Sequence, residues 1–205
     1  MGSDAKTQFK NAADDLGAEI FAAIKSNHIE ALRDICYKVT NPAVAAALIA
    51  CGADPLNKAD KHDYTPACLA AANGNADALK VLADAKADLN KAENDGYTPA
   101  CLAAANGHAD ALKVLADAKA DLNKANNSGY TPACLAALNG HADALKVILE
   151  NLSEEARDKA YAQLREMQGL SSACKALIPL PPEEQVFANA LAVLNGTSAA
   201  VPAPA

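Results

Sequence analysis

A 29-residue segment occurs twice in this chain almost unchanged, and a third copy follows at the same interval. Residues 64–92 read YTPACLAAANGNADALKVLADAKADLNKA, and residues 97–125 are identical except that His108 replaces Asn75. The third copy begins at Tyr130 and then diverges, so the period is 33 residues. Repetition at such a period indicates a stack of similar units that bury their apolar faces against one another.

Each copy contains the signals of two short helices. Thr65 is suited to be an N-cap, and Pro66 follows at the first helical position, where its missing N–H costs nothing. The first helix is predicted over residues 66–72, where nearly every side chain is small or apolar, and Gly74 is suited to the left-handed position after it. A second, amphipathic helix is predicted over about residues 76–85.

Polar segments with turn chemistry connect the copies. The sequence Asn94-Asp95-Gly96 is typical of a tight hairpin tip. About a quarter of the residues are alanine, and only five Tyr and three Phe supply aromatic rings. Alanine favours helices and is depleted in strands, so the composition argues against an all-β fold, and a thin core is expected. The predicted fold is an all-α solenoid with short β-hairpin or loop fingers and flanking helices.

The flanks resemble the repeats less closely. A further helix is expected within residues 4–16, another from Asn41-Pro42 to Cys51, and a third from Ser153 to about Met167. The helix predicted over 182–195 is amphipathic. The domain division is 1–18 N-terminal tail or helix, 19–59 degenerate first repeat with an extra helix, 60–92, 93–125 and 126–152 full repeats, 153–196 C-terminal capping helices, and 197–205 disordered tail.

Charge and cysteine usage restrict the partners and the compartment. The formal charge of −7 and the pI near 5.0 argue against nucleic acid or an anionic membrane as a partner. No segment has the length of a membrane span or the pattern of a signal peptide. Free thiols favour a reducing compartment, so we expect a cytoplasmic protein or one delivered to a host cytosol. Export is compatible with the sequence if a leader has been removed.

The repeated motifs are similar to those of the ankyrin-repeat family, and the resemblance covers roughly residues 52–150. The residues that carry it are Thr-Pro at 65–66, 98–99 and 131–132, Leu-Ala-Ala at 69–71, 102–104 and 135–137, Asn-Gly at 73–74, 106–107 and 139–140, and Ala-Asp-Leu-Asn at 87–90 and 120–123. The chain has Ala-Cys where the family has Leu-His after Thr-Pro. It has Lys86 and Lys119 where the family has glycine, although Gly52 retains it.

No catalytic, metal or cofactor site is predicted. Cys68, Cys101 and Cys134 recur at equivalent positions, and neighbouring helices lie ~8–10 Å apart, too far for a disulfide or a shared zinc ion. We interpret them as buried structural thiols. His108 and His141 stand at the starts of second helices, where a polar side chain satisfies a free helix end.

The resemblance implies that hairpin tips and the exposed sides of the first helices form a concave binding surface. The residues carried over are Lys61, His62, Tyr64, Asn73, Asn94, Asp95, Tyr97, Asn106, Asn127, Ser128, Tyr130, Leu138 and Asn139. Tyrosine is favoured at binding hot spots, so Tyr64, Tyr97 and Tyr130 are candidate anchors. The alternative is that each tyrosine packs on the neighbouring hairpin.

The expected function is a non-enzymatic, monomeric protein–protein interaction module that binds a folded protein through this surface. It would act as an inhibitor of an enzyme, or as a bacterial effector or adaptor on a host protein. The alternative is an oligomerising structural scaffold assembled through the C-terminal helices. An enzyme would need Cys174 and His141, which have no orienting third group.

Overall fold

The computed structural model describes residues 3–179, and the helix predicted at 182–195 and the tail from 197 onward lie outside these residues. The described residues form α-helices joined by turns and loops. The helices are α1 (Ser3–Lys25), α2 (Ile29–Thr40), α3 (Pro42–Cys51), α4 (Pro66–Ala72), α5 (Ala76–Asp84), α6 (Pro99–Ala105), α7 (Ala109–Asp117), α8 (Pro132–Leu138), α9 (Ala142–Asn151), α10 (Glu154–Glu166) and α11 (Ser172–Ala176).

The helices form two rows that run along the stack. The inner row is α1, α4, α6, α8 and α10, each packed on the next, and the outer row is α2, α5, α7, α9 and α11. The predicted all-α solenoid is confirmed. The three fingers between repeats are loops, because residues 3–179 contain no β-strand. None of the helices in this part of the chain has the length and hydrophobicity needed to cross a membrane.

The inner helices begin in the same way in all three repeats. Thr65, Thr98 and Thr131 are N-caps whose hydroxyl oxygens accept hydrogen bonds from the backbone N–H groups of the cysteines three residues later, at 3.1, 3.2 and 3.4 Å. A proline follows each threonine at the first helical position. These caps satisfy donors that would otherwise be orphaned inside the stack.

The core is thin because alanine lets the rows approach closely. Ala70, Ala103 and Ala136 are fully buried between successive inner helices. The outer row contributes two fully buried aliphatic side chains per repeat, which are Leu79 and Leu82, Leu112 and Leu115, and Leu145 and Ile148. Small side chains facing small side chains therefore replace the wide aromatic centre that the composition excludes.

The flanking helices differ in part from the sequence prediction. Helix α1 is continuous across residue 18, where the sequence suggested a boundary, and it packs on α2, α3 and α4. The observed bounds of α3 and α10 agree with the predicted ones, while the short helix α11 was not predicted. The domain division itself stays a prediction. Lys86 and Lys119 adopt left-handed backbone angles, φ 65° and 62°, at the positions where the sequence lacks glycine.

Candidate binding surface

The three fingers place the predicted tip residues at the edge of the inner row. Each finger is closed by a backbone hydrogen bond in which the N–H of Asp60, Glu93 or Asn126 donates to the carbonyl oxygen of the tyrosine four residues later. These bonds are 2.9–3.1 Å long. The loop therefore ends at a tyrosine that directly precedes the N-cap threonine of the next inner helix.

The side chain at the first residue of each finger holds the tip together. The Asp60 carboxylate accepts from the N–H of His62 and Tyr64, and the Glu93 carboxylate accepts from two equivalent N–H groups. In the third finger the Asn126 carbonyl oxygen accepts from Ser128 and Tyr130, both at 3.0 Å. The amide nitrogen of Asn126 is buried and has no hydrogen-bond partner.

Neighbouring fingers are linked to one another by side-chain bonds to the backbone. The Asn57 side chain accepts from the N–H of Asp88 at 2.6 Å, and Asn90 accepts from Asp121 at 2.7 Å. At the tips, the Asn127 amide donates to the carbonyl of Asn94 at 2.9 Å. Repeated links of this kind make the finger row a fixed array whose spacing is set by the stack.

The three tyrosines are not equivalent. Tyr64 and Tyr97 are half-buried, and Tyr97 packs against the core. Burial raises the pKa of the Tyr64 phenol, and after it the negative charge of Glu93 in the second finger raises it further. Tyr130 has no further finger to pack on and is 43% exposed. Half-burial of Tyr64 and Tyr97 favours packing for these two, and the exposure of Tyr130 leaves its ring accessible, while the role of the three tyrosines as anchors stays a prediction.

A second row of predicted residues lies at the opposite end of the inner helices. Asn73, Asn106 and Asn139 are exposed at the helix ends, a seven-residue helix and hence about 10 Å from the tyrosine row. The Asn139 amide donates to the carbonyl of Ala105 in the preceding repeat at 2.8 Å. Leu138, which replaces the alanine of the other two copies, is 45% exposed.

Of the predicted site residues, all except Tyr64 and Tyr97 are exposed. The first finger carries charged side chains at its tip, the second carries Glu93 and Asp95, and the third carries none between residues 126 and 130. The prediction missed Asp60, Glu93 and Asn126 as the residues that shape the tips. Their equivalent place in each period was the available signal.

The three cysteines at equivalent positions of the repeats, Cys68, Cys101 and Cys134, make contacts that hold the structure together. Cys68 donates its thiol hydrogen to the carbonyl of Lys91 at 3.4 Å, and Cys101 donates to that of Lys124 at 3.5 Å. In the first two repeats a thiol thus links the inner helix to the segment that leads into the next finger, where the sequence lacks the usual histidine. Burial raises the pKa of Cys68 and Cys101, which disfavours the nucleophilic thiolate.

The histidines contact the preceding repeat and do not cap their own helices. His108 and His141 are N-cap residues without a side-chain capping bond, contrary to the sequence prediction. Their Nε2 atoms lie 3.0 and 3.2 Å from the carbonyl oxygens of Ala72 and Ala105. Asn75 does cap its helix, and it also donates to the side chain of Asn27 at 2.7 Å.

The best-formed cavities among residues 3–179 are not lined by any of the predicted site residues. A cavity of about 680 Å³ lies between α5 and α7, beside Lys86, Asp88 and Val114. Within residues 3–179 no three His, Cys, Asp or Glu side chains are grouped so that they could hold a metal ion. The surface formed by the fingers and inner helices is open and can contact a macromolecule.

Comparison with known proteins adds one result. A family model described as ankyrin repeats (3 copies) matches residues 20–126 and, in an overlapping match, residues 69–160. The two matches together cover more than half of the 205 residues. No curated protein sequence matches the chain.

Proposed function

The chain belongs to the ankyrin-repeat family, and we propose that it is a non-enzymatic module that binds a folded protein through its fingers and inner helices. Ankyrin repeats are generally protein–protein interaction modules. The observation that carries the proposal is the exposure of the predicted surface on a rigid scaffold. Its tips differ in charge between copies that are otherwise nearly identical, as residues 60–63, 93–96 and 126–129 show.

The contacts of the reactive side chains support a non-enzymatic role. The thiols of Cys68 and Cys101 are buried and donate to backbone carbonyls. The imidazoles of His108 and His141 lie against backbone carbonyls of the preceding repeat. These groups are therefore occupied in holding repeats together and are not paired as nucleophile and base.

Within this function we propose that the module acts by covering a surface of its partner, as an inhibitor of an enzyme or as an effector or adaptor on a host protein. Fixed tips require little ordering on binding, which favours tight association. All six cysteines are free, which supports a reducing compartment such as the cytoplasm or a host cytosol. The net charge of −7 supports a protein partner over nucleic acid or an anionic membrane.

The binding surface is tested with two sets of alanine substitutions of equal size. The finger set changes His62, Asp95 and Tyr130, whose side chains are exposed and make no hydrogen bond that shapes a tip. The matched control changes Asp77, Lys80 and Asp84, which are exposed on the outer helix α5. Partners captured by the wild-type chain are identified, and the dissociation constant is measured for each variant.

We expect the finger set to weaken binding at least ~10-fold and the control set to leave it unchanged. The proposal is wrong if the α5 set abolishes binding while the finger set does not. If the partner is an enzyme, its activity in the presence of the wild-type chain separates inhibition from a role as adaptor.

The alternative of an oligomerising scaffold depends on the helix predicted at 182–195, outside the described residues. We propose a monomer, because α10 and α11 already pack on the last full repeat. A molar mass measured by light scattering that stays at 21.0 kDa as the concentration rises supports the monomer. A mass that doubles favours the scaffold.

A further inference from the structure

Hydrogen bonds join the segments that lead into successive fingers. We call these the connecting segments, and they comprise residues 54–58, 87–91 and 120–124. The side-chain oxygen of Asn57 in the first segment accepts from the N–H of Asp88 in the second at 2.6 Å. The backbone carbonyl of Asn57 accepts from the ammonium group of Lys91 at 2.7 Å. This asparagine therefore receives a backbone N–H and a lysine from the segment that follows it.

The same two bonds recur one period later. The side-chain oxygen of Asn90 accepts from the N–H of Asp121 at 2.7 Å, and its backbone carbonyl accepts from the ammonium group of Lys124 at 3.4 Å. In the second and third segments the aspartate also accepts from the N–H two residues later, at 2.8 Å in both, which folds the segment into a turn of its own. An Asp-Leu-Asn-Lys segment is thus shaped to donate to the asparagine of the segment before it.

This series of bonds ends at Asn123. Among residues 3–179 no group donates to its side-chain oxygen or to its backbone carbonyl. Glu154, which stands one period after Asp121, is the first residue of α10, so a fourth connecting segment does not follow. The third segment therefore presents the two acceptors that the first and second segments use, without the donors.

The unpaired edge is accessible and has space beside it. Asn90, which the third segment covers, is half-buried, whereas Asn123 in the same local sequence is exposed. A cavity of about 370 Å³ lies between Leu122 and Asn123 on one side and Leu152 and Ala156 on the other. Cavities of about 300–1,000 Å³ are typical of ligand sites. This space is enough for a short peptide, and its leucine wall offers an apolar contact.

We propose that residues 121–123 bind an Asp-x-Asn-Lys segment of a partner protein, in the way that the second connecting segment binds the third. A backbone N–H of the partner donates to the Asn123 side-chain oxygen, and a lysine three residues later donates to the Asn123 carbonyl. This extends an unpaired edge by one more segment, as strand addition does at the edge of a sheet. None of the predicted partner-binding residues belongs to this edge, so the inference goes beyond the proposed function.

The sequence and contacts of this chain favour a partner protein as the source of the segment. No lysine or arginine follows Lys175 in the sequence, so the residues after it lack the required ammonium group. In a second copy, the second and third connecting segments already donate within their own stack. Its first segment has one more residue between Asp54 and Lys58, and the Lys58 ammonium pairs with Asp14 at 2.6 Å.

Peptide titrations of the full chain, followed by amide NMR spectra, test the proposal. The probe is the blocked peptide acetyl-Lys-Ala-Asp-Leu-Asn-Lys-Ala-amide, the sequence that residues 86–92 and 119–125 share. A matched peptide has norleucine in place of its second lysine, which keeps the aliphatic chain and removes the ammonium group. The chain variants are Asn123→Ala and Asn123→Asp, and the control is Asn11→Ala, at an exposed position of α1.

We expect saturable shifts of the amides of residues 121–123 and 152–156. The norleucine peptide and Asn123→Ala each weaken binding at least ~5-fold, about the worth of one hydrogen bond. Asn123→Asp binds at least as tightly as the wild-type chain, because it retains an acceptor oxygen and adds a charge that attracts the lysine. Asn11→Ala leaves the affinity unchanged.

The proposal is overturned if the peptide causes no saturable shift at this edge, if it shifts the finger amides instead, or if the norleucine peptide binds equally well. It is also overturned if Asn123→Ala leaves the affinity unchanged. A molar mass that doubles without peptide and returns to that of a monomer in Asn123→Ala would assign the edge to a second copy. Because the finger residues take no part in this binding, these outcomes are independent of whether the proposed function holds.

Discussion

The first residue of each finger has the same task in the three repeats but not the same chemistry. Asp60 and Glu93 accept two backbone N–H bonds with carboxylates, and a carboxylate has no hydrogen of its own to satisfy. Asn126 accepts the same bonds and adds an amide that has no acceptor, although the residue is only 5% exposed. A buried donor without a partner costs about 1–3 kcal/mol.

We expect Asn126→Asp to stabilise the protein by about 1 kcal/mol at neutral pH, because the carboxylate retains both accepted bonds and removes the orphaned donor. Urea unfolding followed by circular dichroism measures the change. Ser128→Asp is the control, since it adds the same charge to an exposed position of the same finger. Equal effects of the two substitutions would show that the charge alone is responsible.

The contact between successive helix pairs depends on glycines that precede the outer helices. Gly107 and Gly140 both have positive φ, 77° and 76°. A Cβ on Gly107 would lie 2.6 Å from Nδ1 of His141, whereas a Cβ on Gly140 would meet nothing within 4 Å. The imidazole of one repeat therefore packs directly over the glycine of the repeat before it.

We expect Gly107→Ala to destabilise the protein by at least ~1 kcal/mol more than Gly140→Ala. Both variants carry the cost of a left-handed alanine, about 1–2 kcal/mol, but only the first forces the His141 ring out of place. The unfolding free energies should be compared again in a His141→Ala background. There the difference between the two glycine variants should disappear, and its persistence would contradict the contact.

The elements that carry their own start and stop signals could be predicted from the sequence. Thr65 with Pro66, Asn41 with Pro42, and Ser153 each cap a helix as expected. Helix α1 was predicted in two parts, but it continues through Gly17, a residue type that often ends helices. Helix α11 is too short for periodicity to reveal it. The row of fingers could be predicted from the family resemblance, but the exposure of each tyrosine depends on whether another finger follows it.

The hydrogen-bond partners of His108 and His141 could not be predicted. Their bonds reach the preceding repeat, and local sequence does not specify such partners.

Because several thiols are buried in the stack, the free energy of unfolding is expected to depend on pH in the alkaline range. Burial raises the pKa of Cys36 from 9.0 to about 11 and also raises that of Cys68 and Cys101. Because the folded pKa is higher than the unfolded one, the contribution to stability is complete below pH 9 and is lost as the pH rises towards 11.

We therefore expect the free energy of unfolding of the wild-type chain to fall above pH 9. For the Cys36→Ala variant we expect this free energy to fall less steeply with pH. The difference in slope corresponds to up to about 2 kcal/mol across this window. Unfolding curves at several pH values under reducing conditions measure it, so that disulfide formation does not contribute. Parallel slopes for the two proteins would contradict a protonated, buried Cys36.

At the largest scale, the helices of the described residues pack mainly on those of neighbouring units in the stack. Within residues 3–179, helix α7 packs on α5 on one side and on α9 on the other, while α2 at the end of the stack packs on α5. Leu112 in α7 and Leu32 in α2 are both fully buried, so they form a pair of equal chemistry in the middle and at the end of the stack. In a quasi-one-dimensional fold, losing a central unit removes two interfaces, and losing an end unit removes one.

We expect Leu112→Ala to cost about 2–5 kcal/mol and to accelerate hydrogen exchange in both α4 and α8, because the neighbours on each side lose their support. Leu32→Ala carries a similar local cost, but its effect should decline along the stack and leave α8 at the wild-type rate. Peptide-resolved hydrogen exchange of the two variants measures this gradient. Equal acceleration in α8 by both would mean that the stack unfolds as one cooperative unit, in which the position of a buried leucine does not matter.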